Sequence, residues 1–353
     1  MNVHQFLTSY AYGDAIGNEA LEIRNFLRNR GMQSEIFSLS FHPRYAHDVR
    51  NYLDYDRYSG PGNVALFHFS IGSPVTKKFL RLPDRKALIY HNITPYSYFL
   101  DYHRVLAKDC FKGRVELKSL ADKVDLALGD SEYNRRELAE AGFPRTGVLP
   151  LLMNFAHLEE KVLPLFGELF NDGKTNLIYV GRIIPNKKIE DVIRVFHLFQ
   201  RFFEPDSRLF LIGEYRGFER YLAALQNQIG MLKVKNVHFS GHVPLDELIS
   251  YFKLSHLYLH MSDHEGFCAP ILEGFHIGIP VLACAVGAVS ETMNGGGILL
   301  KNRNFLEIAA LIDEVLHDRE FRQRILDSQR RALEKYKIEK TGATLLEYLR
   351  RLQ

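Results

Sequence analysis

The stretch HEGFCAPILEGFHIGIPV, residues 264–281, sets Glu265 and Glu273 eight positions apart around a proline suited only to the opening turn of a helix. HLYLHM ahead of it reads as a buried strand, SDHEGFC as the loop at its carboxyl end, and Ala269 with Pro270 as a helix start. Glu265 is then expected in the loop and Glu273 in the first helical turn. Both would face the crevice beyond the strand ends, where open α/β sheets bind ligands. The free amides and positive dipole end of such a helix suit a pyrophosphate, and carboxylates nearby suit sugar hydroxyls. Spacing alone leaves a plainer reading open, in which two acids simply favour a helix N-terminus.

GRIIPNKK (181–188) follows the apolar run NLIYV and carries Arg182 and Lys187 in a strand-to-helix turn. A guanidinium and an ammonium there would neutralise a diphosphate leaving group without a metal, although either taken alone reads as a surface charge. In the first half, YGDAIGNEA (12–20) joins a strand to a helix, and Gly13 and Gly17 permit close backbone approach. The spacing is not GxGxxG, so a dinucleotide site gains little from it. IYHNITP (89–95) sets His91 at a strand end on the same ligand-facing edge, with a structural histidine as the plain alternative. The DYD of Asp54 to Asp56 lacks a preceding apolar strand and reads as a solvated loop rather than a metal motif. No HExxH, EF-hand loop, Walker sequence, Gly-x-Ser-x-Gly or paired CxxC occurs, which removes the obvious metalloenzyme and serine-nucleophile readings.

The elements that must hold these residues are short β-rich runs alternating with amphipathic stretches, the pattern of βα units wound on parallel sheets. VHQFLTS, SEIFSLS, NVALFHFS, KALIYHN, VDLALGD and GVLPLL are the strand candidates of the first half. NLIYVG, RLFLIGE, NVHFSG, HLYLHM, PVLAC and GILL are those of the second. The stripe at 305, 308, 309, 312, 315 and 316 has helical spacing and is core. A chain of 353 residues exceeds what one core serves, so two domains are expected, 1–160 and 170–336, with a linker near 155–172 and a last helix over 337–353.

Composition narrows the class. An apolar fraction of 46% with 25% charged residues is that of a globular protein. A net charge of +3 from 45 basic and 42 acidic residues is too balanced for a dedicated nucleic-acid binder, so no nucleic-acid partner is expected. Basic excess is local, at KKFLRLPDRK (77–86) and over 319–353, and would permit peripheral contact with an anionic membrane. Cys110, Cys268 and Cys284 have no paired spacing, which argues against disulfides and structural zinc and for a reducing, cytoplasmic compartment. No window approaches the ~18 apolar residues of a membrane span.

The ordered motif Ser262, Glu265-Gly266-Phe267, Pro270, Glu273, Gly278, Pro280-Val281 and Ala283 resembles the retaining group-1 glycosyltransferases of the GT-B fold. GRIIPNKKIED (181–191), FSGHVPLDEL (239–248) and GAVSET (287–292) agree in order, and GDAIGN and YHNITP resemble bacterial O-antigen and exopolysaccharide members. Cys268 and Ala269 stand where glycine and leucine are commoner. The resemblance implies an α/β protein of two Rossmann-like domains facing across a cleft, with the last helix packing back on the N-terminal domain. It implies that Glu273 binds the donor ribose, Glu265 contacts hydroxyls of the transferred sugar, and Arg182 and Lys187 hold the diphosphate. The amides near Ala269, Pro270, Ile271 and Leu272 would complete the phosphate cradle, with Phe267 and Cys268 also among the donor-binding residues. Gly13, Asp14, Ala15 and Ile16 would line the cleft, Gly241, His242 and Val243 would flank the base, and His91 would approach the sugar and nearest phosphate.

The same resemblance implies transfer of a sugar, with retention, from a nucleoside diphosphate sugar to a glycan or lipid-linked acceptor in envelope polysaccharide assembly. The nucleotide sugar is a substrate, and neither cofactor nor metal is expected. Retention would come from same-face attack, because no residue has a clear claim to be a covalent nucleophile. A sugar-nucleotide epimerase of similar build, or a silent sugar-nucleotide-binding subunit, would use the same residues. The sugar, base, linkage, acceptor and oligomeric state are not readable from the chain.

Overall fold

The computed structural model describes residues 1–11 and 13–352; Tyr12, in the YGDAIGNEA stretch, and Gln353, at the end of the expected last helix, lie outside the described residues. The chain forms two compact units. The first comprises residues 1–97, 105–154 and 335–353, and the second 98–104 and 155–334.

In the first unit the order is β1 (Val3–Tyr10), α1 (Ala15–Arg28), β2 (Ile36–Phe41), β3 (Val49–Asn51), β4 (Val64–Phe69), α2 (Pro74–Leu80) and β5 (Arg85–Tyr90). It continues through α3 (Arg104–Ser119), β6 (Leu126–Gly129), α4 (Glu132–Glu140) and β7 (Thr146–Val148). In the second, α5 (Pro164–Phe170) leads to β8 (Thr175–Val180), α6 (Ile189–Phe202), β9 (Ser207–Ile212), α7 (Glu219–Leu232), β10 (Val237–Gly241), α8 (Leu245–Lys253) and β11 (Leu257–His260). Then come α9 (Ala269–Ile277), β12 (Val281–Cys284), α10 (Val289–Met293), β13 (Ile298–Leu300), α11 (Phe305–His317) and α12 (Arg319–Leu333). The last helix, α13 (Ile338–Arg350), belongs to the first unit.

Among the described residues the first unit has a seven-stranded sheet ordered β3-β2-β1-β4-β5-β6-β7 and the second a six-stranded sheet ordered β10-β9-β8-β11-β12-β13. Every pairing is parallel. That is why runs such as VALFHF and SRLFLI are buried throughout: helices cover both faces of a parallel sheet, so neither face can be polar. The strand order reverses direction between β1 and β4 in one sheet and between β8 and β11 in the other. Loops leaving the carboxyl ends of such a neighbouring pair diverge, and a ligand crevice opens there.

The 155–172 stretch, expected to be a linker, is folded into the second unit. The Phe166 ring stands edge-on to Tyr251 at 4.8 Å, and Phe170 meets Phe210 at 5.0 Å. The DYD stretch is not a plain solvated loop either. It lies in a 3-10 turn in which Tyr55 is fully buried and donates its hydroxyl to Asp84, while Asp54 and Asp56 stay exposed. Helix α13 sets Leu345 and Leu349 into the core with Phe26, Ile89 and Leu128, and Tyr348 Oη accepts the amide of Val148 at 3.1 Å. Burying two leucines stabilises by up to about 5 kcal/mol.

Candidate functional site

In the second unit, the sequence candidates fall on loops leaving the adjacent strands β8 and β11. After β8, residues 185–187 make one 3-10 turn and α6 starts behind Lys188, held in the left-handed region at φ 53°. After β11, the loop runs to Cys268, the residue before α9. Backbone and side chain join the two loops. The amide of Asp263 donates to Asn186 O at 2.8 Å, and Asn186 Nδ2 donates to His264 O at 3.4 Å. Arg303, just before α11, donates to Asp191 Oδ2 at 2.7 Å, to Ser262 O at 2.9 Å and to the Asp263 carboxylate, fixing the start of the same loop.

Glu265 is the centre of that arrangement. It is 6% exposed, and Lys187 Nζ donates to both of its oxygens at 2.7 Å. Its Oε1 also accepts from Ser262 Oγ at 2.8 Å and lies 2.9 Å from His260 Nε2. The histidine nitrogen lies 2.9 Å from Ser262 Oγ as well, whose proton is already given to Glu265, so Nε2 must carry the ring proton. Burial alone would raise the Glu265 carboxyl; Lys187 and His260 outweigh it and hold the group well below the usual carboxylate range. Glu265 is therefore a fixed anion. An ammonium has three donors, and two of those of Lys187 are spent here.

The GAVSET stretch, which sequence reading matched without giving it a task, holds this loop from behind. Ala288 N donates to Glu265 O at 3.0 Å and Thr292 Oγ1 to Phe267 O at 2.5 Å. A Cβ on Gly287, at φ 50°, would stand 2.2 Å from Glu265 O, so only glycine fits.

Glu273 lies in α9 as its fifth residue, just past the first turn where it was expected, since the helix opens at Ala269 as read and four residues complete that turn. It makes no hydrogen bond or ion pair among the described residues, and burial pushes its carboxyl up to about 7. Phe267, Ile271 and Leu272 are buried; Ala269 is 8% exposed and Pro270 partly so. Cys268 adopts φ 81°, a conformation that suits glycine, and burial lifts its thiol well above the usual range. Arg182 is exposed, makes no ion pair among the described residues, and has its guanidinium carbon 5.9 Å from the centre of the Phe218 ring. Phe99, from the short 98–104 segment, meets the same ring at 5.7 Å. Gly241 ends β10, two strands from β8, and His242 and Val243 follow it in the next loop, with His242 exposed.

The first unit holds the remaining candidates. Gly13, Asp14 and Ala15 are exposed and Ile16 half-buried at the start of α1, beyond β1. His91 follows β5, and its side chain is 3% exposed. Sequence reading missed its company. His68 Nε2 lies 2.9 Å from Gln5 Oε1, whose amide nitrogen donates to Ala20 O, so His68 must give its proton to Gln5. Its bare Nδ1 then accepts from His91 Nε2 at 3.0 Å, and the two rings stack 5.2 Å apart. On the other side His91 Nδ1 donates to Asp130 Oδ2 at 3.1 Å. Both nitrogens of His91 therefore carry protons, making it an imidazolium. Burial opposes the charge, but Asp130 and Glu19 raise the ring above its ordinary value. Glu19 Oε2 lies 3.6 Å from both rings with no hydrogen bond of its own, and burial lifts that carboxyl to about 7.

Among the described residues two clusters thus carry metal-ligand types, Glu19–His68–His91 and His260–Glu265–Cys268. In each, a cation already meets the carboxylate: the His91 ring in one, Lys187 in the other. No helix among the described residues is long and apolar enough to cross a membrane.

Residues 165–332 match the family model of glycosyl transferases group 1. The O-antigen chain mannosyltransferase B of Escherichia coli is 25% identical over 307 residues, 84% of this chain and 74% of its own length. The capsular polysaccharide biosynthesis glycosyltransferase CapM of Staphylococcus aureus is 27% identical over 184 residues, 50% of this chain and 44% of its own. The crystal structure of Anabaena Alr3699/HepE in complex with UDP and glucose has the same fold, with a TM-score of 0.75 and 18% identity over 99% of this chain and 100% of that one. The parallel sheets flanked by helices are those of GT-B proteins, and residues 165–332 are matched as a group 1 glycosyltransferase domain.

Proposed function

We propose that the chain transfers a sugar, with retention, from a nucleoside diphosphate sugar to a glycan or lipid-linked acceptor in polysaccharide assembly. The observation that carries this reading is the buried Lys187–Glu265 pair at the β8/β11 switch point, ahead of the N-terminus of α9. The names of the E. coli and S. aureus relatives support the polysaccharide setting, and the nucleotide bound in the Anabaena structure supports the donor class.

In this reading the diphosphate takes the remaining donor of Lys187, the unpaired guanidinium of Arg182 and the amides opening α9, and no metal enters the step. Cleavage of the sugar–phosphate bond places positive charge at the anomeric carbon and negative charge on the diphosphate. Fixed cations beside the departing group favour that state over the bound donor. Glu265, ionised and held by Lys187, accepts hydrogen bonds from sugar hydroxyls. Glu273, with no partner of its own, takes a pair of ribose hydroxyls. Glu265 makes a poor covalent nucleophile because Lys187 already engages both its oxygens, which favours attack by the acceptor on the face the phosphate leaves. His91, in the first unit, donates both of its ring N–H groups to neighbours and so has no proton to spare for the reaction.

The test is release of nucleoside diphosphate from a panel of sugar nucleotides supplied with acceptor. Wild type should release it and Glu265→Ala should not, while circular dichroism shows the variant, although less stable, still folded at the assay temperature. Normal transfer by that variant removes Glu265 from the mechanism. Conversion of the donor without any acceptor would instead identify an epimerase.

A further inference from the structure

Helix α3 buries Ala107, Cys110, Gly113 and Leu117 along one side, and Arg114 Nε fastens it by donating to Ile93 O at 2.9 Å. Its opposite face is unusual for a soluble protein. Val105, Phe111 and Val115 are 66%, 52% and 57% exposed, at helical spacing that sets them on one side. Lys108, Lys112 and Lys118 are exposed on the same face and make no ion pair or hydrogen bond among the described residues. No carboxylate of α3 is exposed there; Asp109 and Glu116 are half-buried at its flanks. Tyr96 extends the apolar strip, its ring edge-on to Phe111 at 5.4 Å.

The basic stretches that stand out in the sequence behave differently. In the 77–86 patch, Lys78 pairs with Asp56, and Lys86 donates to Leu82 O at 2.6 Å. Near the C-terminus, Arg330 pairs with Asp327 and Arg351 with Glu347. Other cations there, such as Lys77, Arg81 and Arg331, are exposed and unpaired, but among the described residues no large apolar side chain of either stretch is exposed beside them. The lysines of α3 are uncommitted, and apolar side chains stand between them.

We propose that this face of α3 is a contact surface for an anionic lipid bilayer. A helix lying in a membrane interface has this composition: lysines that reach lipid phosphates, with aromatic and aliphatic side chains between them that enter the acyl boundary. A nucleic acid or acidic peptide would engage the lysines but has no use for a valine–phenylalanine strip. The strip is too small for a membrane span, so the contact is peripheral and salt-sensitive.

The full chain would be sedimented with phosphatidylcholine vesicles, with and without phosphatidylglycerol, over a salt series. Binding should require phosphatidylglycerol and fade as salt rises. Each lysine near an anionic surface is worth about a factor of five, so replacing Lys108, Lys112 and Lys118 by alanine should weaken binding about a hundredfold. Phe111→Ser should weaken it about tenfold while the melting temperature stays put, since the position is exposed. Absence of lipid-dependent binding at low salt, or a triple variant that binds as wild type does, would overturn the proposal. Heparin competition combined with full binding by Phe111→Ser would also overturn it, marking the face as a general polyanion site.

Discussion

Replacing Lys187 by methionine keeps the reach of the side chain and takes the ammonium from Glu265. That carboxylate is 6% exposed and would keep Ser262 and His260 on Oε1, while Oε2 would lose Lys187. Removing one partner of a buried pair costs ~3–5 kcal/mol, and two surviving donors put this case near the lower end, about 3 kcal/mol. Its pH dependence is the sharper consequence. In wild type the Glu265 value is depressed below 4.5, so its contribution is present above that pH and is lost only as pH falls through the folded value. Without Lys187, burial is the largest influence and drives the carboxyl upward, so the variant is penalised increasingly as pH rises. The assay is urea unfolding of both proteins at pH 5 and pH 8. The deficit of the variant should be larger at pH 8, and adding Glu265→Gln should shrink it because no buried charge is then left alone. An equal deficit at both pH values, or a double variant no better than the single one, would refute the reasoning.

Glu273 has its folded value raised to about 7, so it lowers stability as pH climbs from the unfolded value near 4.5 through 7. Glu273→Gln should remove that decline, gaining up to about 3 kcal/mol at pH 8 and almost nothing at pH 4, as melting curves at the two pH values would register. Cys268→Gly should relieve the left-handed backbone and stabilise by roughly 0.5–1 kcal/mol in denaturant titration; a loss of stability would show that the thiol's packing outweighs the strain. For His91, nitrogen NMR at neutral pH should show both ring nitrogens protonated and those of His68 as a single neutral tautomer; a neutral His91 would break the proton assignment.

Much of this site was legible because its chemistry is local in sequence. The EGF loop, Pro270 and Glu273 lie within one loop-and-helix segment, and the β8 turn carries Arg182 and Lys187 together. The second-unit strands were legible for a different reason: burial on both faces leaves unbroken apolar runs. What was not legible depends on residues distant in the chain. Glu19 reads as an ordinary acid of a helix start, and His68 as one polar residue in a strand; only the packing of α1 over β4 and β5 makes them neighbours of His91. His260 is likewise hidden inside a buried strand. Strand β3 is an edge strand of three residues, two of them exposed, too short for an alternating pattern. Helix α5 spans seven residues, and only its aromatic contacts separate it from a linker. Nothing in residues 98–104 announces that they leave the first unit for the second.

Binding of paired nucleotides tests the central claim most directly, because Arg182 and Lys187 are proposed to hold the diphosphate. UDP, GDP and ADP would be titrated against UMP, GMP and AMP by calorimetry, on wild type and on Arg182→Ala, whose exposed side chain can go without disturbing the fold. One diphosphate should bind at least tenfold more tightly than its monophosphate, and Arg182→Ala should remove most of that margin. Equal affinity for both members of every pair, or a margin unchanged in Arg182→Ala, would contradict it.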